Sequence, residues 1–262
     1  MLRKATVEVA GRPARYIEAG AGPAVVFVHG LGLAGTFFRN HCRAFARAGF
    51  RAIAPDLPGF GRSRGPWLGQ SVEETADWLL AFAARLGLGR VVWVGHSLAA
   101  QATLDAAARA PARTRALVLV TPTGAPGRCR LLRQLSNFVR DVGREPVALA
   151  PTVARHYIHG SPTAFLGTWL RAARDHPARK ARRVRCPTLV VAGKRDPVVP
   201  NDFVQTLVRR IPGAELALIH GAGHGITFDR SEEFDRAVLA FLRGVVARPD
   251  ADSGGVRGAA AA

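Results

Sequence analysis

Gly95-His96-Ser97-Leu98-Ala99 is the stretch of this 262-residue chain that decides its fold. It follows the apolar run Val91-Val92-Trp93-Val94 and opens an alanine-rich segment, residues 98–108. The pattern predicts a strand, a sharp turn at Ser97 and a helix, because small residues let the strand and the helix pack closely. A serine on such a turn stands at the carboxyl end of the strand. Since a serine hydroxyl is a weak nucleophile without a base, the rest of the chain must supply one.

An acid and a histidine follow two later predicted strands. Asp196 comes after the apolar run Thr188-Leu189-Val190-Val191-Ala192, and His224 lies in a glycine-rich segment after Leu216-Ala217-Leu218-Ile219. The loops that follow parallel strands share one edge of a sheet, so these side chains can meet Ser97. The chain order Ser, Asp, His is the one found in α/β-hydrolases, and it predicts a nucleophile, an orienting acid and a base.

Other histidines and acids compete for these roles. His220 stands before the glycine-rich loop rather than inside it, so loop context favours His224 as the base. His96 adjoins the serine, and we interpret it as a structural neighbour. Asp202 and Asp229 are interpreted as a residue at the start of a helix and as a surface charge, which leaves Asp196 as the predicted acid.

Four further segments contain predicted strands or the turns that follow them. They are His29-Gly30-Leu31-Gly32, Asp56-Leu57-Pro58-Gly59-Phe60-Gly61-Arg62-Ser63, residues 116–120 and residues 187–200. Together with the serine turn they resemble the α/β-hydrolase family over residues 5–245. The first segment is similar to the family's oxyanion loop. Ala99 is a departure, because many members have glycine there, but a methyl group should fit where the constraint is close packing.

The resemblance implies a mainly parallel, eight-stranded sheet that is flanked by helices. Strands are predicted near residues 5–10, 15–19, 24–28, 51–54, 91–95, 116–120, 188–192 and 216–220. Residues 1–121 and 187–247 would form this core. Residues 122–186 would form a helical cap inserted after the sixth strand, and residues 248–262 would be a disordered tail. In the cap, Ser161-Pro162 predicts a helix start.

The family resemblance also implies an activity. We expect a cofactor-independent serine hydrolase without a metal, which cleaves a carboxylic ester through an acyl-enzyme on Ser97. The backbone N–H groups of Leu31 and Leu98 would form the oxyanion hole. The pocket for a small-molecule substrate, apolar or anionic, would include His29, Gly30, Phe138, Trp169 and Leu170. Two alternatives stay open: a carbon–carbon bond hydrolase of a diketone-like compound with the same triad, and a non-catalytic binding protein.

A dinucleotide-binding pattern is a rival interpretation. Gly30-Leu31-Gly32-Leu33-Ala34-Gly35 follows a predicted strand, and Asp56 comes 21 residues after Gly35. An oxidoreductase would, however, leave the serine turn, Asp196 and His224 unexplained. The hydrolase hypothesis is therefore preferred.

Composition limits the partners and the setting. The formal net charge is +18, and residues 122–186 hold thirteen Arg and Lys against three acids. This excess predicts a solvated basic surface, or attraction to an anionic substrate or surface. No nucleic-acid motif is found, and no apolar run approaches the ~18–20 residues that span a bilayer. Three cysteines without metal-ligand spacing and the lack of a secretory signal favour a cytoplasmic protein, and frequent Ala, Arg and Gly suggest a bacterial one. The oligomeric state is left open.

Overall fold

The computed structural model describes residues 1–125 and 161–247. Its strands are Arg3–Val9 (β1), Arg12–Ala19 (β2), Ala24–Val28 (β3), Arg51–Pro55 (β4), Val91–His96 (β5), Thr114–Val120 (β6), Thr188–Gly193 (β7) and Glu215–Ile219 (β8). They form one sheet in the order β1-β2-β4-β3-β5-β6-β7-β8. The predicted eight-stranded, mainly parallel sheet is confirmed, with strand ends shifted by a few residues.

Six of these strands run parallel, and their direction determines where the loops meet. Every adjacent pair from β4 through β3 to β8 is parallel. The carboxyl ends of β3, β5, β7 and β8 therefore lie at one edge of the sheet. The loops after these strands are the ones that carry the predicted catalytic residues.

An antiparallel hairpin, β1 and β2, closes one side of the sheet. Its turn is Ala10-Gly11, where both residues have positive φ, 50° and 71°. Two-residue turns of this kind match the twist of the flanking strands. Strand β2 begins at Arg12, earlier than the start near residue 15 that the sequence predicted. Pro13 is tolerated because β4 pairs only with the later residues of β2, Tyr16–Ala19.

Helices cover both faces of the sheet. They are Arg39–Arg47 (α1), Val72–Arg85 (α2), Leu98–Arg109 (α3), Pro162–Ala172 (α4), Pro177–Lys180 (α5), Asn201–Arg210 (α6), Ile226–Asp229 (α7) and Ser231–Val246 (α8). Buried residues of α2, α3 and α6 form one core with one face of the strands, and those of α1 and α8 form a second core with the other face. Alternate residues of β5, such as Trp93 and Val94, contribute to the two cores in turn.

The contact between β5 and α3 is close because its residues are small. A Cβ atom on Gly95 would collide with the hydroxyl of Thr103, which itself donates to the carbonyl of Ala99 at 3.0 Å. Ala99 is fully buried within this contact. Its methyl group thus fits within this close contact, and α3 begins directly after Ser97.

The described part of the predicted cap is helical. Helix α4 begins after Ser161, whose side chain accepts a hydrogen bond from the backbone of Ala164 at 3.2 Å, as the Ser-Pro pair predicted. Residues 126–160, which include Phe138, and the predicted tail at residues 248–262 lie outside the described residues, so the cap boundaries and the tail stay predictions. Within residues 1–125 and 161–247, no helix is long and apolar enough to cross a bilayer.

Candidate active site

Ser97 occupies a strained backbone position between β5 and α3. Its φ is 57° and its ψ is −118°, a conformation that costs a residue with a side chain ~1–3 kcal/mol. Neighbouring backbone groups hold it there: its N–H donates to the carbonyl of Val120 at 2.9 Å, and its carbonyl accepts from Ala100 at 3.1 Å. The serine side chain is thereby placed beyond the carboxyl end of β5.

The structure brings Ser97, His224 and Asp196 together in one hydrogen-bonded chain. His224 Nε2 lies 2.9 Å from Ser97 Oγ, and His224 Nδ1 lies 2.9 Å from Asp196 Oδ2. The three side chains come from the loops after β5, β8 and β7. His220 and Asp202, the alternatives that the sequence offered, are exposed.

Asp196 is held in place by its second oxygen. Oδ1 accepts hydrogen bonds from the backbone N–H groups of Val198 at 2.7 Å and Val199 at 3.0 Å. Only 1% of its side chain is exposed. The carboxylate is thus oriented by two donors on one side, and it presents its other oxygen to the histidine.

The acid loop and the histidine loop pack directly on each other. The backbone N–H of Arg195 donates to the carbonyl of Ala222 at 3.0 Å. Gly193 leaves no room for a side chain, because a Cβ there would press on the carbonyls of Ala222 and Gly223. This close approach fixes the relative position of Asp196 and His224.

A second histidine, His96, lies beside the triad and is kept neutral. Burial, and then the neighbouring His224, lower the pKa of His96 to about 3. Its ring lies between Phe37, at 6.1 Å, and His224, at 5.5 Å between ring centroids. Its Nε2 is 3.3 Å from the backbone carbonyl of His224 and therefore donates to it. This geometry fits the structural role that we predicted.

The predicted oxyanion loop passes next to the serine. A Cβ on Gly30 would lie 3.2 Å from Ser97 Cβ and 3.1 Å from His96 Nδ1, so glycine allows this approach. Within the part of the chain that the structure describes, the N–H groups of Leu31 and Leu98 donate to no protein acceptor. The oxyanion hole at these two amides stays a prediction.

His29 links this loop to the turn after β4. Its Nε2 accepts from the N–H of Leu57 at 2.9 Å, and its Nδ1 donates to the carbonyl of Gly30 at 2.9 Å. The side chain is fully buried. Support of the loop therefore fits His29 better than the contact with substrate that we expected.

The other predicted pocket residues are placed unequally. Trp169 is half-buried on α4, whereas Leu170 is exposed on the solvent side of that helix. Phe138 lies outside the described residues. Helix α4 rests on the turn after β4, where the N–H of Ser161 donates to the carbonyl of Gly59 at 3.2 Å. The lining of the substrate pocket stays a prediction.

One supporting contact gave no signal in the sequence. The ring of His41 in α1 lies 2.6 Å from Asp235 Oδ1 in α8 and 2.8 Å from the carbonyl of Thr227 in α7. Thr227 follows His224 by three residues, so this bridge anchors the histidine loop. His41 and Asp235 are 194 residues apart, and no spacing rule connects them.

The dinucleotide-binding interpretation does not fit the geometry. Asp56 Oδ1 accepts from the N–H of Gly35 at 2.8 Å, and Oδ2 accepts from the N–H of Arg62 at 2.9 Å. The carboxylate thus closes its own loop instead of facing a ribose. Gly35 is required for packing, because a Cβ there would collide with the backbone of Ala54.

Comparisons with known proteins identify the family of the chain. Residues 25–237 match the model of the alpha/beta hydrolase family. A hydrolase of 2-hydroxy-6-oxononadienedioate and 2-hydroxy-6-oxononatrienedioate from Burkholderia vietnamiensis is 28% identical over 87% of this chain and 90% of its own length. Polyketide synthase ThaQ of Burkholderia thailandensis is 35% identical over 88% of this chain, which spans only 12% of that protein.

Solved structures show the same fold. A thermophilic esterase from Thermogutta terrifontis superposes with a TM-score of 0.81 over 93% of this chain and 99% of the esterase, at 22% identity. Relatives named as hydrolases and the family match make the protein an enzyme rather than a non-catalytic binding protein. The chain belongs to the alpha/beta hydrolase family.

Proposed function

We propose that the protein is a serine hydrolase that cleaves a carboxylic ester through an acyl-enzyme on Ser97. The observation that carries the proposal is the chain of two 2.9 Å hydrogen bonds from Ser97 Oγ through His224 to Asp196. A nucleophile, a base and an orienting acid in this geometry are the parts that acyl transfer requires.

In the first half of the reaction, His224 Nε2 takes the proton of Ser97 as Oγ attacks the ester carbonyl carbon. The carbonyl oxygen becomes negative and receives hydrogen bonds from the amides of Leu31 and Leu98, each worth about 3 kcal/mol by analogy with measured oxyanion holes. The tetrahedral intermediate collapses as the bond to the alcohol oxygen breaks. His224 gives its proton to this leaving group, and the acyl group stays on the serine.

In the second half, water replaces the alcohol. His224 takes a proton from the water as the water oxygen attacks the acyl carbon. The bond between the acyl carbon and Ser97 Oγ then breaks. The serine recovers its proton from the histidine, and a carboxylic acid leaves. The imidazolium that forms twice in the cycle faces the carboxylate of Asp196, while the neutral His96 adds no competing positive charge.

The direct test is intact-mass analysis after treatment with a fluorophosphonate probe. We expect one adduct on the wild type and none on Ser97→Ala or His224→Ala. His220→Ala is the matched control, because His220 is exposed and the serine hydroxyl is bonded to His224, and it should label like the wild type. The rates at which labelled and unlabelled protein hydrolyse esters of varied chain length and charge should then be compared. An adduct on Ser97→Ala, or its absence from folded wild type, would contradict the proposal.

A second candidate reaction has a specific observation in its favour. The Burkholderia vietnamiensis relative is named for substrates that carry a 2-hydroxy and a 6-oxo group. The second candidate for this chain is therefore cleavage of a carbon–carbon bond in a diketone-like compound, with the same triad. Incubation with a simple aryl ester and with a 2-hydroxy-6-oxo dienoate, followed by product analysis, distinguishes the two reactions.

A further inference from the structure

Four large apolar side chains are exposed on two segments that contact each other. Trp67, Leu68, Leu166 and Leu170 have exposed fractions of 74%, 63%, 50% and 41%. We call these four residues the apolar face. They belong to two segments, the turn before α2 and helix α4. Soluble proteins rarely leave several large apolar side chains exposed side by side without a function for them.

The two segments are in direct contact, so their exposed side chains form one surface. The N–H of Gln70 donates to Thr168 Oγ1 at 3.1 Å. Gly167 lies so close to the carbonyl of Leu68 that a Cβ there would collide with it. The turn and the helix are therefore packed against each other through Gly167 and Thr168.

Helix α4 points Leu166 and Leu170 away from the core. The buried stripe of this helix consists of three residues spaced four apart, Ala164, Thr168 and Ala172. Leu166 and Leu170 are one turn apart on the opposite side, because each lies about half a helical turn from that stripe. Their exposure follows from the helix orientation and not from a frayed end.

Two exposed arginines lie next to these segments. Arg64 and Arg174 are exposed beside the turn and at the end of α4. In the described residues no carboxylate pairs with Arg174, whereas Arg171 is paired with Glu74 at 3.1 Å. The whole chain carries a formal charge of +18. An occupant of this surface must therefore accept both apolar side chains and positive charge.

We propose that the apolar face docks on the surface of an anionic lipid bilayer. Trp and Leu side chains would enter the headgroup region, where Trp is favoured, and the arginines would contact lipid phosphates. Basic residues near such a surface are attracted to the anionic headgroups, and salt weakens this attraction. A second copy of the chain is a poorer occupant, because it would bring two strongly positive molecules together.

The docking surface lies near the catalytic edge of the sheet. Helix α4 contacts Gly59 in the turn after β4, and Leu57 of that turn is bonded to His29 in the loop beside Ser97. A docked molecule would therefore hold its active-site edge close to the lipid surface. The proposal concerns binding alone and does not depend on which bond the enzyme cleaves.

The test is vesicle co-sedimentation of the full-length Ser97→Ala protein, in which lipid hydrolysis cannot change the vesicles. Phosphatidylcholine vesicles are compared with mixed phosphatidylcholine and phosphatidylglycerol vesicles. We expect binding to the mixed vesicles, weakened by salt, and a loss of at least about tenfold in the Trp67→Ala/Leu68→Ala variant. The matched control, Leu218→Ala/Val246→Ala, removes two apolar side chains that are exposed on β8 and at the end of α8 and should bind like its parent.

A fluorescence measurement adds a second test. Trp67 is highly exposed, Trp169 is half-buried, and Trp78 and Trp93 are buried. Insertion should therefore shift the tryptophan emission to the blue in the parent and less in Trp67→Phe. Equal vesicle binding by the apolar-face variant and its parent would overturn the proposal. A different pair of results would also overturn it: the parent forms a dimer in sedimentation equilibrium but does not bind mixed vesicles, and Trp67→Ala/Leu68→Ala abolishes the dimer.

Discussion

Replacement of Asp196 by asparagine tests the proposed mechanism most sharply, because the structure fixes which way the new amide must point. Asp196 Oδ1 accepts from the N–H groups of Val198 and Val199, at 2.7 and 3.0 Å. An asparagine must keep its oxygen towards these two donors, so its NH₂ group faces His224 Nδ1. That nitrogen then has to act as an acceptor.

The size of the effect follows from this tautomer change. If Nδ1 of His224 accepts, the ring proton moves to Nε2, which lies 2.9 Å from Ser97 Oγ. The imidazole can no longer take the serine proton, although every side chain keeps its place. The corresponding substitution in the serine-protease template lowers kcat by about 10⁴-fold. We expect a similar loss here, about 5 kcal/mol of transition-state stabilisation.

The assay is steady-state hydrolysis of a chromogenic aryl ester, with thermal unfolding measured in parallel. Asp196→Asn should lose kcat with little change in Tm, whereas Asp196→Ala should also lower Tm because two backbone donors lose their acceptor. Asp202→Asn is the control, since Asp202 is an exposed acid at the start of α6 and its loss should leave kcat within about twofold. If Asp196→Asn keeps kcat within about tenfold of the wild type, the orienting role is refuted.

Three further substitutions test the supports of the site and of the fold. Gly30→Ala should lower kcat by about 10- to 100-fold in the ester assay without loss of Tm, because the new methyl meets the serine at 3.2 Å and displaces an oxyanion donor. Lys180→Met should cost about 2–4 kcal/mol in urea unfolding at pH 7, because the ammonium lies 2.6 Å from Asp175. Burial raises the pKa of Asp175, and Lys180 opposes that rise. The loss of unfolding free energy should therefore shrink as falling pH protonates the Asp175 carboxyl, and an equal loss at pH 7 and pH 5 would contradict this account. His41→Phe should lower the free energy of unfolding by about 1–3 kcal/mol, because Asp235 and a carbonyl of α7 lose their donor. We expect kcat to fall as well. An unchanged urea midpoint would show that the bridge is dispensable.

The fold and the candidate triad could be predicted because both follow from local patterns. Short apolar runs indicated the parallel strands, and a residue that directly follows a parallel strand must lie at one known edge of the sheet. Ser97 directly follows β5, and Asp196 and His224 lie in the loops after β7 and β8. Strand direction places all three at one edge of the sheet, and their meeting also depends on the strand order β5-β6-β7-β8, which keeps these strands close together.

The supports of the triad could not be predicted, because they depend on which distant elements pack together. The pairing of His41 with Asp235 and the stacking of Phe37 on His96 arise from contacts between helices and loops that share no sequence period. His96 shows why this matters. One residue from the nucleophile, an exposed imidazole could take up a proton and oppose the imidazolium of His224. Burial keeps its pKa near 3, so tertiary packing turns a chemically competent side chain into a neutral donor that positions the catalytic loop.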